Sequence, residues 1–194
     1  MHGLINRSIQ NFVCDSYGPA NWAEAARLAG LEFTEFEAML SYPDTITPAV
    51  LDAVCDVLDR PREEVMEDVG TYLVSHPTYE AVRRLLRFGG VNFSDFLHSL
   101  DDLPARARLA LADLELPGIE LREHADGQFS LLCEAPVAGY GHLMMGVLRV
   151  MADDYGALVL LDHTGSAGGV ETLTIMVVEA DYSAGRSFDL GARA

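Results

Sequence analysis

The chain has 194 residues, enough for one large domain or two intimate subdomains with an ample core, and 49% of them are apolar, which excludes a disordered polymer. A formal net charge of −17 excludes direct binding to a nucleic-acid backbone and suits a basic partner face. Its apolar runs are too short to span a bilayer, and Cys14, Cys55 and Cys133 are too widely spaced for a disulfide framework or a CxxC zinc site.

The opening MHGLINRSIQ meets polar residues too early for a signal peptide, so the expected location is cytoplasmic, with no membrane partner. Leu4, Ile5, Ile9, Phe12, Val13 and Tyr17 recur at helical spacing and stop at Gly18-Pro19. Asn21 and Glu24 form a candidate capping box for a helix from Trp22 to Leu28, closed by Gly30. Thr34 is placed to cap a short helix carrying Phe36, Met39 and Leu40. Thr47-Pro48 predicts the start of a helix through Leu58. Pro61, Glu63 and Glu64 open the next, with Val65, Met66, Val69, Tyr72 and Leu73 apolar. Thr78 is the expected cap of a segment from Tyr79 to Phe88, ended by Gly89-Gly90, and a further helix carries Phe93, Phe96, Leu97, Leu100 and Leu103.

After Pro117 the pattern changes. Ile119 to His124 and Gln128 to Cys133 flank Asp126-Gly127, a strong hairpin signal. Tyr140 to Tyr155 reads as an apolar-rich helix, and Ala157 to His163 and Val170 to Val178 as strands around the turn Gly165 to Gly169. The fold class is α+β: a helical N-terminal subdomain of about residues 1–60, then a pocket-bearing part of about 61–194 with an antiparallel sheet and packed helices. There is no phosphate-binding glycine loop, GxSxG elbow or HExxH, and the acidic pairs lie on helix surfaces, so no enzyme is indicated.

Several strings, in order, resemble the haem-nitric oxide/oxygen binding (H-NOX) family. They are MHGLIN, with Ile5 at a distal-pocket position; PAVLDAVCDVLDRPREEVMEDVGTYLV; FSDFLHSLDDLPARARLAL, similar to the family's proximal helix; Pro117, where the family packs a proline on the porphyrin; and Gly146 in HLMMGVLRVM. The resemblance implies a stand-alone bacterial sensor carrying haem b. Such a sensor responds to a small gas such as nitric oxide and relays it to a diguanylate cyclase or a histidine kinase in cyclic-di-GMP-type signalling. It also implies a pocket lined by Ile5, Phe96, Leu97, Leu100, Leu103, Pro117, Leu143, Met144 and Leu148.

The chain departs from the family at the chemistry. The family's iron-binding histidine falls on Pro104, and proline has no lone pair for iron. The Tyr-x-Ser-x-Arg clamp for the haem propionates falls on Cys133, Ala135 and Val137. Three substitutes for the ligand exist. His98 lies six residues before Pro104, about 120° round a regular helix, and is the candidate metal ligand; otherwise it makes charge contacts with Asp101 and Asp102. His142 opens the last long helix, and Cys133 offers a thiol. His2, His76, His124 and His163 read as structural or exposed. The alternative is a haem-free scaffold, or a binder of an apolar metabolite, that keeps the fold and its partner surface.

Overall fold

The computed structural model describes residues 2–186. Helix α1 (Gly3–Tyr17) starts at His2, whose Nδ1 accepts the Leu4 N–H at 3.2 Å, and ends where Gly18 turns to φ 93°. Helix α2 (Pro19–Leu28) begins earlier than Asn21 suggested, because Pro19 suits the first helical position. Asn21 then lies inside the helix and donates to the Tyr17 carbonyl at 2.6 Å, while Glu24 pairs with Arg27.

The helix expected after Thr34 does not form. Its backbone groups are taken by side chains instead: Trp22 Nε1 donates to the Thr34 carbonyl at 2.8 Å, Arg7 donates to the Phe36 carbonyl at 2.9 Å, and Gln10 Oε1 accepts the Phe36 N–H at 2.9 Å. Phe36 is fully buried by this arrangement, whereas Met39 and Leu40 are exposed. Helix α3 (Ile46–Leu58) starts at Thr45, and Thr47 within its first turn donates to Asn6 Oδ1 at 2.7 Å in the interior. Helix α4 (Arg62–Ser75) follows Pro61 as expected. A single 3-10 turn (Pro77–Tyr79) precedes α5 (Glu80–Arg87); its cap is the His76 ring, not Thr78.

The helix expected to carry Phe93 through Leu103 is two helices, α6 (Phe93–His98) and α7 (Leu103–Ala110). Pro104 fits this break: it has no N–H for the Leu100 carbonyl and suits the first turn of a new helix. The Leu103 N–H turns to Leu100 O at 3.0 Å, and the stranded Ser99 carbonyl is taken by Arg106 at 2.9 Å.

The C-terminal part forms an antiparallel sheet in the order β1-β2-β4-β3, from β1 (Ile119–Ala125), β2 (Gln128–Glu134), β3 (Leu158–Ala167) and β4 (Val170–Glu179). Gly127, at φ 69°, makes the first hairpin tip. Helix α8 (Tyr140–Tyr155) is inserted between the hairpins and covers the inner face.

Two apolar clusters result. One unites α1 to α4 around Phe12, Trp22, Phe36, Leu51 and Val69; the other unites α6, α7, α8 and the sheet. They meet where α4 crosses α8. A Cβ on Gly70 would lie 2.0 Å from the Leu143 carbonyl oxygen, and one on Gly146 would lie 2.1 Å from the Glu67 carbonyl oxygen. The helices touch backbone to backbone there, which only glycine permits.

Candidate functional site

The pocket implied by the resemblance lies between the α6–α7 corner, α8 and the inner face of the sheet. Phe96, Leu97, Leu100 and Leu103 come from the corner, Met144 and Leu148 from α8, and Phe129, Leu131, Leu173 and Ile175 from the sheet; all belong to one continuous cluster. Leu143 is half-buried and reaches both clusters. Ile5, half-buried on α1, belongs to neither cluster, and Pro117 is half-buried before β1.

A gap wide enough for a porphyrin would leave its lining open to a water-sized sphere. Phe96, Leu97, Leu100 and Leu148 are each 0% exposed, with protein atoms alone closing over them. The two cavities described lie elsewhere. One is a cleft of about 370 Å³ between α1 and α4, beside Phe12 and Tyr72; the other is a groove of about 300 Å³ on the outer sheet face, beside Leu160 and Met176.

The three alternative iron ligands lie in three separate surroundings. His98 projects from α6 onto the β1–β2 hairpin beside the pair Glu123 and Phe129. Its Nε2 lies 3.6 Å from Glu123 Oε2, its ring stands edge-on to Phe129, and about half of its side chain is exposed. The contact with Asp101 or Asp102 weighed from sequence is therefore corrected to Glu123. Asp101 instead accepts the Leu121 N–H at 2.6 Å and ties the α6–α7 turn to β1. His142 stacks on His163 of β3 with centroids 4.3 Å apart. Cys133 is fully buried, and that burial, with Glu171 adding to it, pushes its thiol up to about 12. It is a protonated core side chain at neutral pH. Tyr140, at the start of α8, is also pushed upward, mainly by burial and secondarily by Cys133.

Sequence reasoning missed Glu171. Its Cα is paired with that of Cys133 across β2 and β4, and the residue is 5% exposed. Its Oε1 accepts the Gly139 N–H at 2.8 Å and its Oε2 the Gly141 N–H at 2.7 Å, with His163 Nε2 3.4 Å from Oε2. A protein carboxylate thus occupies the N-terminus of α8, where amide groups and helix dipole favour an anion. The signal was present: strand alternation puts residue 171 on the same face as Leu173 and Ile175, and an acid on a buried face needs a partner. Arg106 was missed too, because its role depends on the turn at Pro104.

The haem test therefore fails on several independent counts. Pro104 is the second residue of α7 and offers no ligand atom. Positions 133, 135 and 137 give propionates no strong donor, and a carboxylate already satisfies the amides beside them. Side chains fill the space. The residues present do not fit haem held in the family's way.

Comparison with known proteins completes the description. The profile of the haem-NO-binding family matches residues 2–163. The chain is 24% identical to the soluble guanylate cyclase gcy-31 of Caenorhabditis elegans over 154 residues, 79% of this chain and 22% of that protein. It is 22% identical to the soluble guanylate cyclase 89Da of Drosophila melanogaster over 158 residues, 81% of this chain and 24% of that protein. The chain thus spans less than a quarter of the length of these relatives. Among solved structures, it superposes on an H-NOX protein from S. oneidensis in the Fe(II)NO ligation state with a TM-score of 0.75 at 18% identity, covering 91% of this chain and 99% of that one. The Fe(II) unliganded H-NOX protein from K. algicida gives 0.77 at 16%, covering 94% and 100%.

Proposed function

Because this chain belongs to the haem-NO-binding (H-NOX) family yet lacks the fittings for its cofactor, we propose that it is a haem-independent member that acts through contact with a partner protein. The matched region is the family's sensor domain, which is non-catalytic. The observation that carries the reading is the filled interior: Phe96, Leu97, Leu100 and Leu148 pack with no accessible surface. The partner is a signalling enzyme. The names of the relatives favour a nucleotide cyclase, and the family resemblance adds a diguanylate cyclase or histidine kinase as the partner class. Among the described residues no helix is long and apolar enough to cross a membrane, and the proposed location is the cytoplasm.

The competing reading is a nitric oxide sensor with a substitute iron ligand. It needs His98, His142 or Cys133 to enter one shared pocket. His98 faces Glu123, His142 faces His163, and Cys133 is a buried thiol beside Glu171.

Titration with haemin, followed in the Soret region, separates the two. The parent protein is expected to take up no stoichiometric haem. The triple variant Pro104→His, Ala135→Ser, Val137→Arg is expected to take up no more, because restored ligands still meet a filled core. A one-to-one Soret complex of the parent would overturn the proposal and restore the sensor reading.

A further inference from the structure

The chain carries 13 basic side chains, every one an arginine, against 30 acids. Arg83, Arg84, Arg87, Arg106 and Arg108 all fall on α5 and α7. Neither the stretch 81–91 nor the stretch 103–112 contains a carboxylate. The three most exposed large apolar side chains among the described residues lie on the same corner: Leu109 at 90%, Val91 at 89% and Phe88 at 74%.

These pieces are contiguous. The Arg106 guanidinium reaches from α7 to the Leu85 carbonyl of α5 at 3.2 Å and to Ser99 O at 2.9 Å. A Cβ on Gly89 would meet Ser99 Oγ at 2.1 Å, so the turn from Phe88 to Val91 is seated on the α6–α7 turn. On α5, Arg84 and Phe88 are four residues apart and share a face; on α7, Leu109, three residues after Arg106, lies on the same side of the helix, and Arg108, two residues after Arg106, lies across its exposed ridge. Arg106 spends its hydrogen bonds on neutral oxygens, which hold it in place without cancelling its charge. Arg87 lies over the Tyr155 ring at 3.9 Å, while Arg83 pairs with the buried Asp154.

We infer that the α5–α7 corner is a docking surface for an acidic amphipathic segment of a partner protein, with Phe88, Val91 and Leu109 as apolar anchors and Arg84 and Arg108 as carboxylate-binding arms. Arginine forks pair bidentately with carboxylates, and exposed aromatic and aliphatic groups beside them give the apolar contact that docking requires. The remainder of the chain is strongly acidic, so an extended anionic membrane meets repulsion on either side of the corner, whereas a short acidic segment reaches the corner alone. The surface deepens the partner-contact reading above but does not depend on whether haem binds: haem uptake with an intact surface would sink only that earlier reading.

The test uses the full chain and a fluorescein-labelled helical peptide with leucines on one face and glutamates on the other, read by anisotropy. Its glutamine twin is the control. The glutamate peptide is expected to bind, more weakly as salt is raised, and the glutamine twin to bind about tenfold less tightly. Arg84→Glu with Arg108→Glu, and separately Phe88→Ser with Leu109→Ser, should each weaken binding by about tenfold. All four side chains lie at or near the surface, and circular dichroism checks that the variants fold. Amide shift mapping on the unmodified chain gives a second readout, with perturbations expected at 84–91 and 103–109. Equal binding of both peptides, shifts elsewhere, concentration-dependent self-association through this corner in sedimentation, or capture by phosphatidylserine vesicles would each overturn the inference.

Discussion

The seam between α4 and α8 and the corner between α6 and α7 are held together in different ways. At the seam, Gly70 and Gly146 stand where two backbones touch. At the corner, Pro104 stands in the first turn of α7, the helix is broken, and Arg106 and Asp101 clamp the break to Ser99 and β1. The seam holds two apolar clusters together and tolerates no added atom. The corner is held by side-chain clamps around ordinary core packing. On the haem-independent reading proposed above, scaffold and cofactor site are separable layers of one fold.

The seam is where this comparison is broken most easily. Gly146→Val places branched carbon against the Glu67 carbonyl oxygen, where even a Cβ would be 2.1 Å away. The helices must separate, and the expected loss is about 3 kcal/mol or more. Urea unfolding checks it: the midpoint should fall sharply with little change in slope. A loss below about 0.5 kcal/mol would mean that the seam is loose and that the contrast with the corner is false.

Glu171 sharpens the contrast from the other side, since it satisfies from within the amides at the N-terminus of α8. Glu171→Ala leaves the Gly139 and Gly141 N–H groups without their acceptor in a buried place, and the expected cost is about 2–3 kcal/mol. Glu171→Gln keeps one carbonyl acceptor and should recover part of it. Equal stability of alanine, glutamine and parent in urea would show that the carboxylate does not hold α8.

Most helices and all four strands were legible because periodicity and turn chemistry are local. Asp126-Gly127 and the span Tyr140–Tyr155 were read without long-range information. The segment after Thr34 was misread because its backbone partners, Gln10, Arg7 and Trp22, come from distant positions in the chain. The proximal helix was read as continuous although Pro104 stood in view; apolar spacing at 93, 96, 97, 100 and 103 outweighed the missing N–H. For the site, the sequence carries Pro104, Cys133, Ala135 and Val137 where the resemblance led us to expect donors. The filling of the pocket and the Glu171 cap were not legible there, since both depend on which elements face one another.

Cys133 gives a smaller, pH-dependent effect. Its thiol sits at about 12 in the folded chain, against about 8.5 for a free thiol. The folded state therefore keeps a proton that the unfolded state releases. The stability this contributes is complete below about pH 8.5 and is lost progressively as pH rises toward 12. Urea midpoints of the parent and of Cys133→Ala, compared from neutral to alkaline pH, should converge over that window. A constant difference would mean that the thiol is not desolvated.

The smallest expected effect belongs to His98. It is the candidate that sequence favoured for iron, and it is also the one most clearly turned toward solvent. Its contact with Glu123 spans 3.6 Å with both side chains about half exposed, a setting in which an ion pair contributes little. His98→Ala is therefore expected to change stability by less than about 0.5 kcal/mol, with the edge contact to Phe129 as its main loss. The same substitution reaches the cofactor question by an independent route. If iron were held here, removing the ring would abolish or strongly shift any haem spectrum while the fold persisted. The expected result is that parent and variant respond to haemin alike, because the half-exposed imidazole is engaged by Glu123 and Phe129 while the fully buried Phe96 and Leu97 fill the interior behind it. A spectrum that depended on His98 would require α6 to rotate and the cluster of Leu97 and Leu100 to open. That would show the corner to be a bistable element and not a closed one.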